Sequence, residues 1–433
     1  MLDRDLIAIL GFVVLFVMIF ARVPVGIAMG LVGVGGFAAV VGPQPALNLL
    51  ATSPIRTVTD YNLSLIPMFI LMGVFATATG MSRELFRAGQ AWLGGFRGGM
   101  GMSTIAACGG FAAICGSSVA TAATMTKVAL PEMRRQGYSD HVATGLIASG
   151  GTLGILIPPS VVMVLYGFLT EQDIGRLFIA GVIPGALAIL IQIGTLQIMA
   201  WRNPAAMPAG AKASWQEKLA SMRGVWAVAL VFVAVIGGIY LGVVTPVEAA
   251  ALGAAATFMI GLLRRRLSLK QTLDCLLEAL RTSVAIFTIL VGAMLFSYFL
   301  AVTQAPQALA QWLVSLPVGE LGLLLLILLV FLLMGCVLDP MAMVILLVPI
   351  VYPVIVNLGF DPIWFGILVV VAVELGMITP PIGMNVFVIR SVAPDVSLWQ
   401  IYRGVGPFVL ADLVRLALLL AFPALALFLP ARM

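Results

Sequence analysis

Two clusters of small polar residues interrupt long apolar stretches of this sequence, and they are the first candidates for chemistry. The first cluster, residues 115–124, reads CGSSVATAAT, and the second, residues 335–340, reads GCVLDP. Asp339 is the only ionisable residue between positions 321 and 360. Because a carboxylate inside an apolar run is costly to bury, such a residue indicates a functional site.

The apolar runs around these clusters predict paired helices. Residues 321–360 either cross a membrane twice or form a re-entrant helical hairpin with the Asp-Pro turn at its tip. The corresponding run in the first half, about residues 100–135, has a shorter second arm rich in Ser and Thr, which favours a hairpin packed inside protein. In the competing interpretation, the small residues only allow helices to pack closely.

A second kind of interruption is a pair of adjacent prolines within a run long enough to cross a bilayer. One pair, residues 158–159, lies inside residues 142–169, and the other, residues 380–381, lies inside residues 363–390. Each pair removes two amide donors, so the helix must open and leave carbonyl groups unpaired. Such carbonyls are tolerated at membrane depth only where they face protein or water. Since helix C-termini suit Na⁺ and helix N-termini suit anions, two such breaks predict a binding site and not simple kinks.

Glu374 lies about one helical turn before the second break. Two roles are open for this carboxylate. It either orients the break or forms an interfacial salt bridge.

These interruptions recur at an offset of 222 residues, which indicates an internal duplication. The halves align at prolines and glycines, which an alanine- and leucine-rich chain would not produce by chance. If each half holds an odd number of spans, the halves lie inverted in the membrane, as in many secondary transporters. The matched positions are Pro24 and Pro246, Pro131 and Pro353, Gly137 and Gly359, Pro158 and Pro380, and Pro159 and Pro381.

Composition sets the class of protein that must position these residues. Of 433 residues, 62% are hydrophobic and 9% are charged, and the mean hydropathy is +1.16. This predicts an all-α polytopic membrane protein, because no soluble fold of this length hides so much apolar surface. The single histidine excludes His-based triads, the four cysteines lack CxxC spacing, and no GxxxxGK[ST] loop occurs. The net charge of +5 lies in loops and does not indicate nucleic acid.

At these motifs the sequence resembles the large membrane subunit of tripartite ATP-independent periplasmic (TRAP) transporters. The resemblance covers nearly the whole chain and keeps the family's order. Its motifs are CGSSVATAAT (115–124), PEMRRQGY (131–138), GGTLGILIPPS (150–160), the Asp339-Pro340 break, LGFDPIWFG (358–366) and ELGMITPPIGMN (374–385). It implies an inverted-repeat, elevator-type secondary transporter with two re-entrant hairpins and two broken transmembrane helices, and not an enzyme.

Transferred motif by motif, the resemblance implies two Na⁺ sites, each where a hairpin tip meets the neighbouring break. One would use Ser117, Ser118 and Thr121 with carbonyls around Gly154, Ile157 and Pro159. The other would use Gly335, Gly376, Thr379 and Ile382. Substrate would lie between the tips near Ser160, Asp339 and Asn385. Because the substrate is itself an anion, we expect Asp339 to position its hairpin or to act through Na⁺.

The implied function is Na⁺-coupled uptake of an organic acid anion, such as a C4-dicarboxylate or sialic acid, across the bacterial inner membrane. The implied partners are a small four-helix membrane subunit on a separate chain, a periplasmic substrate-binding protein and membrane lipid. We expect scaffold parts at residues 1–97 and 224–318, transport parts at 98–200 and 319–433, and a cytoplasmic linker at 201–223.

Two alternatives remain open on sequence alone. The first is a stand-alone Na⁺/dicarboxylate carrier of similar architecture that needs no binding protein. The second, more remote, is an intramembrane hydrolase that uses Ser117 or Ser118 as nucleophile with Asp339, although no general base of the Ser-His or Ser-Lys kind is evident.

Overall fold

The computed structural model describes residues 4–433, and all regular secondary structure in this range is helical. The first half contains α1 (Arg4–Phe20), α2 (Val25–Val41), α3 (Pro43–Val58), α4 (Leu65–Ala78), α5 (Met81–Leu93), α6 (Gly99–Cys115), α7 (Ser118–Arg135), α8 (Asp140–Leu156), α9 (Val161–Thr170) and α10 (Ile174–Arg202). The second half contains α11 (Trp215–Phe232), α12 (Gly238–Tyr240), α13 (Pro246–Leu263), α14 (Leu269–Thr303), α15 (Ala305–Val314), α16 (Gly319–Gly335), α17 (Pro340–Asn357), α18 (Pro362–Ile378), α19 (Met384–Val392), α20 (Leu398–Ala421) and α21 (Ala424–Leu427).

The repeat predicted from the prolines is present in the helices. Shifting α7 and α8 by 222 residues gives the bounds of α17 and α18 without adjustment. The outer part of each half has diverged more. Helices α3 and α4 are bent by 59° at their junction, whereas the corresponding stretch of the second half is the single 35-residue helix α14.

Both hairpins and both broken helices predicted from the sequence are confirmed. The hairpin arms are α6 with α7 and α16 with α17, and they are interrupted at residues 116–117 and 336–339. The broken helices are α8 with α9 and α18 with α19, and they open at residues 157–160 and 379–383. The polar clusters and proline pairs therefore lie at the interruptions themselves.

The core of the protein is built around α8 and α18. Every residue from Val142 to Leu156 and from Ile363 to Ile378 is buried. By contrast, the most apolar part of the continuous span Trp215–Tyr240, which runs from α11 to α12, is only 28% buried. This span therefore presents a broad apolar face outward, as lipid contact requires. In residues 4–433, seven helices are long and apolar enough to cross a membrane, or eight if α3 and α4 form one span.

The predicted linker at residues 201–223 contains the start of a helix. Helix α11 begins at Trp215. Its start is fixed by a capping box, in which Ser214 Oγ accepts from the Glu217 amide and the Glu217 carboxylate accepts from the Ser214 amide. The connection between α10 and α11 therefore covers residues 203–214.

Candidate functional site

The tip of the first hairpin is a two-residue turn between α6 and α7. Gly116 has a φ of +63°, a conformation that glycine adopts without steric cost. Ser117 then caps α7, because its Oγ accepts from the Ala120 amide at 3.3 Å. Its carbonyl accepts from the Thr121 hydroxyl at 2.8 Å. The predicted residues Ser117, Ser118 and Thr121 thus surround the start of one helix.

This tip packs directly on the first break. A Cβ atom on Gly154 would lie 2.5 Å from the Ser117 carbonyl oxygen. A Cβ atom on Gly116 would lie 2.8 Å from the Pro159 carbonyl oxygen. The two backbones therefore touch with no side chain between them, and the residues of the first predicted ion site lie together.

The prolines decide which carbonyls of this break lose their helical donors. In an unbroken helix the carbonyls of Gly154 and Ile155 would accept from residues 158 and 159, but prolines have no N–H. The Ser160 hydroxyl supplies one replacement, because it donates to the Ile155 oxygen at 2.6 Å. The Gly154 carbonyl loses its helical donor to Pro158, and Gly154 itself packs against the hairpin tip.

Gly154→Ala is expected to destabilise the protein by about 1–3 kcal/mol, because its methyl group would overlap the backbone of the tip. Thermal unfolding of the purified protein in detergent measures this effect. Gly194→Ala on α10 is the matched control, since no atom lies within 4 Å of that Cβ position. Equal melting temperatures for the two variants would contradict a close contact between tip and break.

The second half builds the same contact from different residues. A Cβ atom on Gly376 would lie 2.6 Å from the carbonyl carbon of Gly335. The Gly383 amide donates to the Cys336 carbonyl at 3.1 Å, which joins the break to the hairpin tip. The Thr379 hydroxyl donates back to a carbonyl of α18 at 2.6 Å, so its oxygen lone pairs stay available. Gly335, Gly376 and Thr379 of the second predicted site are therefore neighbours.

Asp339 is the N-cap of α17 and holds the position in the second tip that Ser117 holds in the first. Its Oδ1 accepts from two backbone N–H groups of the first turn, at 2.9 and 3.3 Å. Within residues 4–433 its carboxylate makes no hydrogen bond to Ser160 or Asn385. Through these bonds the aspartate caps the start of α17.

The two halves meet at Ser118 and Asn385, which are both buried. The Asn385 side-chain amide donates to Ser118 Oγ at 2.9 Å and to the Ala148 carbonyl at 3.1 Å. One predicted ion ligand and one predicted substrate residue are therefore in direct contact. The side chains of Ser160 and Asn385 are fully enclosed in this conformation.

A buried ion cluster lies beside the second break and was not predicted as a whole. Arg415 on α20 contacts Glu374 at 2.6 Å and Asp412 at 3.1 Å, and all three side chains have no exposed surface. Glu374 therefore forms a salt bridge, but inside the protein and not at a membrane interface. The sequence signal was the pair of opposite charges three residues apart within the apolar run of α20.

A second ion cluster ties the first hairpin to the second broken helix. Arg134, at the end of α7, contacts Asp140 at 2.7 Å and Asp395 at 2.5 Å. Its guanidinium holds the pKa of Asp395 below the usual value for a carboxyl group, chiefly through their hydrogen bond. Asp395 follows α19, so the contact crosses between the halves.

The oxygen atoms at the two tips belong to hydroxyl and carbonyl groups and, at the second tip, also to the Asp339 carboxylate. Hard cations prefer such ligands over sulfur or imidazole. Among residues 4–433, no group of three or more His, Cys, Asp or Glu side chains could hold a metal ion. The residues present thus fit an ion such as Na⁺ at the tips.

A polar cavity of about 1220 Å³ lies apart from the predicted residues. It is lined by residues of α3, α4, α13 and α14 and by residues of α9, α10 and α17. Polar residues on these walls include Arg56, Asp60, Gln172, Tyr298 and Tyr352. The cavity therefore lies between some of the outer helices and some of the helices next to the candidate site.

Polytopic helices arranged as two hairpins that meet two broken helices define a multi-pass membrane transporter. The family model of the tripartite ATP-independent periplasmic transporter, DctM component, matches residues 12–425. The chain belongs to this family and is the large permease component of a TRAP transporter in the inner membrane.

Several relatives share nearly the full length of the chain. The C4-dicarboxylate TRAP transporter large permease protein DctM of Pseudomonas aeruginosa is 39% identical over 89% of this chain and 90% of its own length. The sialic acid TRAP transporter large permease protein SiaM of Vibrio cholerae is 31% identical, with 95% and 96% covered. The ectoine/5-hydroxyectoine TRAP transporter large permease protein UehC of Ruegeria pomeroyi is 33% identical, with 91% and 92% covered. All are named as transporter permeases and not as enzymes, so the hydrolase alternative is wrong.

A solved structure supports the fold alone. The YdaH transporter of Alcanivorax borkumensis, whose crystal structure is described as having an unusual topology, superposes with a TM-score of 0.66 at 15% identity. The match covers 88% of this chain and 89% of that chain.

Proposed function

We propose that this permease takes up an organic acid anion by coupling its movement to Na⁺, with one ion site at each contact between a hairpin tip and a break. The observation that carries the proposal is the backbone contact at Gly154 and at Gly376, where the prolines also remove helical donors from neighbouring carbonyls. Two equivalent oxygen-rich contacts in a duplicated fold favour two ions. The proposed ligands are the residues that the family motifs imply. They are Ser117, Ser118, Thr121, Gly154, Ile157 and Pro159 for the first site and Gly335, Gly376, Thr379 and Ile382 for the second.

The anion is proposed to bind between the tips, near Ser160, Asp339 and Asn385. Helices α9 and α19 both begin at the breaks, and their N-termini offer partial positive charge to a carboxylate. The relatives' names point to organic acids of different sizes, including C4-dicarboxylates and sialic acid. A small membrane subunit and a periplasmic binding protein are the proposed partners.

We propose an elevator movement of the transport parts against the scaffold parts. Contacts such as that between Ser118 and Asn385 favour one rigid unit made of both hairpins and both broken helices. The scaffold halves have their own close contact, because a Cβ atom on Gly292 of α14 would lie 1.9 Å from the Gly26 oxygen of α2. The cavity between the two sets of helices leaves room for relative movement.

Reconstitution into liposomes tests the proposal. The permease is combined with its small subunit, and uptake of a C4-dicarboxylate is followed with and without the binding protein and an inward Na⁺ gradient. We expect uptake only when both the binding protein and the inward Na⁺ gradient are present. Uptake by the permease alone would favour a stand-alone carrier, and equal uptake with K⁺ in place of Na⁺ would reject Na⁺ coupling.

Thr379→Ala is expected to raise the Na⁺ concentration for half-maximal uptake by about tenfold, because it removes a ligand oxygen worth about 1–1.5 kcal/mol. Initial uptake rates measured against Na⁺ concentration show the effect. Thr257→Ala is the control, since this buried threonine on α13 also donates to a carbonyl of its own helix, at 3.0 Å. An unchanged Na⁺ dependence in Thr379→Ala would remove the second site from the proposal.

A further inference from the structure

Helix α20 contacts the second broken helix at two places, one before the break and one within it. Before the break, Arg415 contacts Glu374, which precedes Gly376 by two residues. Within the break, the Tyr402 hydroxyl lies 3.0 Å from the Pro381 carbonyl oxygen and 2.5 Å from that of Ile382. The two contacts are separated by about 20 Å along α20.

The first break has no such support from the matching helix. At the repeat offset, Tyr402 corresponds to Ala180 and Arg415 corresponds to Ile193, both on α10. Neither side chain has a polar atom, so α10 cannot donate to the first break from these positions. The halves therefore stabilise their breaks in different ways.

The side-chain hydroxyls that donate to the two breaks come from different places and bond to different carbonyls. In the first break, the Ser160 hydroxyl donates to a carbonyl of its own segment at 2.6 Å. Its repeat counterpart is Ile382, which has no hydroxyl. The second break thus lacks a side-chain donor at this position, and the Tyr402 hydroxyl donates from α20 to carbonyls later in the break.

We propose that Tyr402 is a positioning residue for the second ion site. Its hydroxyl fixes the carbonyls of Pro381 and Ile382, and Ile382 belongs to the proposed second ligand set, so this inference rests on the proposed function. A carbonyl oxygen has two lone pairs and can accept from a hydroxyl while the other faces a cation. Fixing the carbonyl before the ion arrives lowers the ordering cost of binding.

Tyr402→Phe tests the inference, because it removes the hydroxyl and keeps the ring. The melting temperature of the purified permease in detergent is measured against NaCl concentration, with choline chloride keeping ionic strength constant, since ligand binding stabilises the folded state. We expect the NaCl concentration for half-maximal stabilisation to rise several-fold, with little change in the melting temperature without Na⁺. A damaged fold would instead lower the melting temperature at every NaCl concentration.

Tyr166→Phe is the matched control. The Tyr166 hydroxyl donates to the Pro362 carbonyl at 2.6 Å, which is the same kind of bond at the opposite end of α18. Its Na⁺ response should equal that of the unmodified protein. If Tyr402→Phe reached half-maximal stabilisation at the same NaCl concentration as the unmodified protein, or at a lower one, the inference would be overturned. Equal shifts of this NaCl concentration in both variants would also overturn it. Absence of Na⁺ stabilisation in the unmodified protein would instead reject the proposed Na⁺ function.

Discussion

Arg415→Met is expected to lower the free energy of unfolding by about 3–5 kcal/mol, because it leaves buried carboxylates without a positive partner. Glu374 and Asp412 both face this guanidinium with no exposed surface. Methionine has a similar length and no charge, so the lost volume is small and the effect reports the charge. Denaturant titration of the purified protein in detergent measures the loss.

The control for this variant is Arg403→Met, an exposed arginine on the same helix. It should change the unfolding free energy by less than about 0.5 kcal/mol. The triple variant Arg415→Met, Glu374→Gln, Asp412→Asn should recover much of the loss, because it removes the isolated charges together. If Arg415→Met unfolds at the same denaturant concentration as the parent, the cluster does not stabilise the fold.

Asp339→Asn is expected to reduce uptake by about tenfold or more while the protein still inserts and folds. The reason is that a hydrogen bond to a charged group is worth about 1.5–3 kcal/mol, and asparagine carries no charge. Asparagine is as good an N-cap as aspartate, so the start of α17 should persist. The substitution therefore separates the charge of this side chain from its capping role. Uptake in liposomes and the melting temperature are measured on the same preparation.

Asp361→Asn provides the matched control. Asp361 caps α18 as Asp339 caps α17. Its carboxylate accepts from the backbone N–H groups of Ile363 and Trp364 at 2.8 and 3.0 Å. A proline follows each aspartate. Near-normal uptake by both variants would show that Asp339 serves only to start its helix.

The sequence was sufficient for features that depend on local chemistry. A proline pair removes two amide donors wherever it occurs, so the breaks at residues 157–160 and 379–383 could be predicted without tertiary structure. The hairpin tips followed from small polar residues inside apolar runs. The repeat then required both halves to share one arrangement, which α7 and α17 confirm.

The sequence was insufficient where a neighbouring helix supplies the partner. Arg415 is 41 residues from Glu374, and nothing in the local pattern of either helix selects the other. Tyr402 is likewise 20 residues from the carbonyl of Ile382. Packing decides which side chain meets an unpaired carbonyl. That information lies in the contacts between helices and not in their individual amphipathic patterns.

The bond between Ser118 and Asn385 has a consequence for biogenesis. The two residues are 267 positions apart, so the ribosome must synthesise the chain past residue 385 before this bond can form. Until then, the Ser118 side chain lacks its partner from the second half. Translation products that stop between the two residues should therefore lack this link between the first hairpin and the second broken helix.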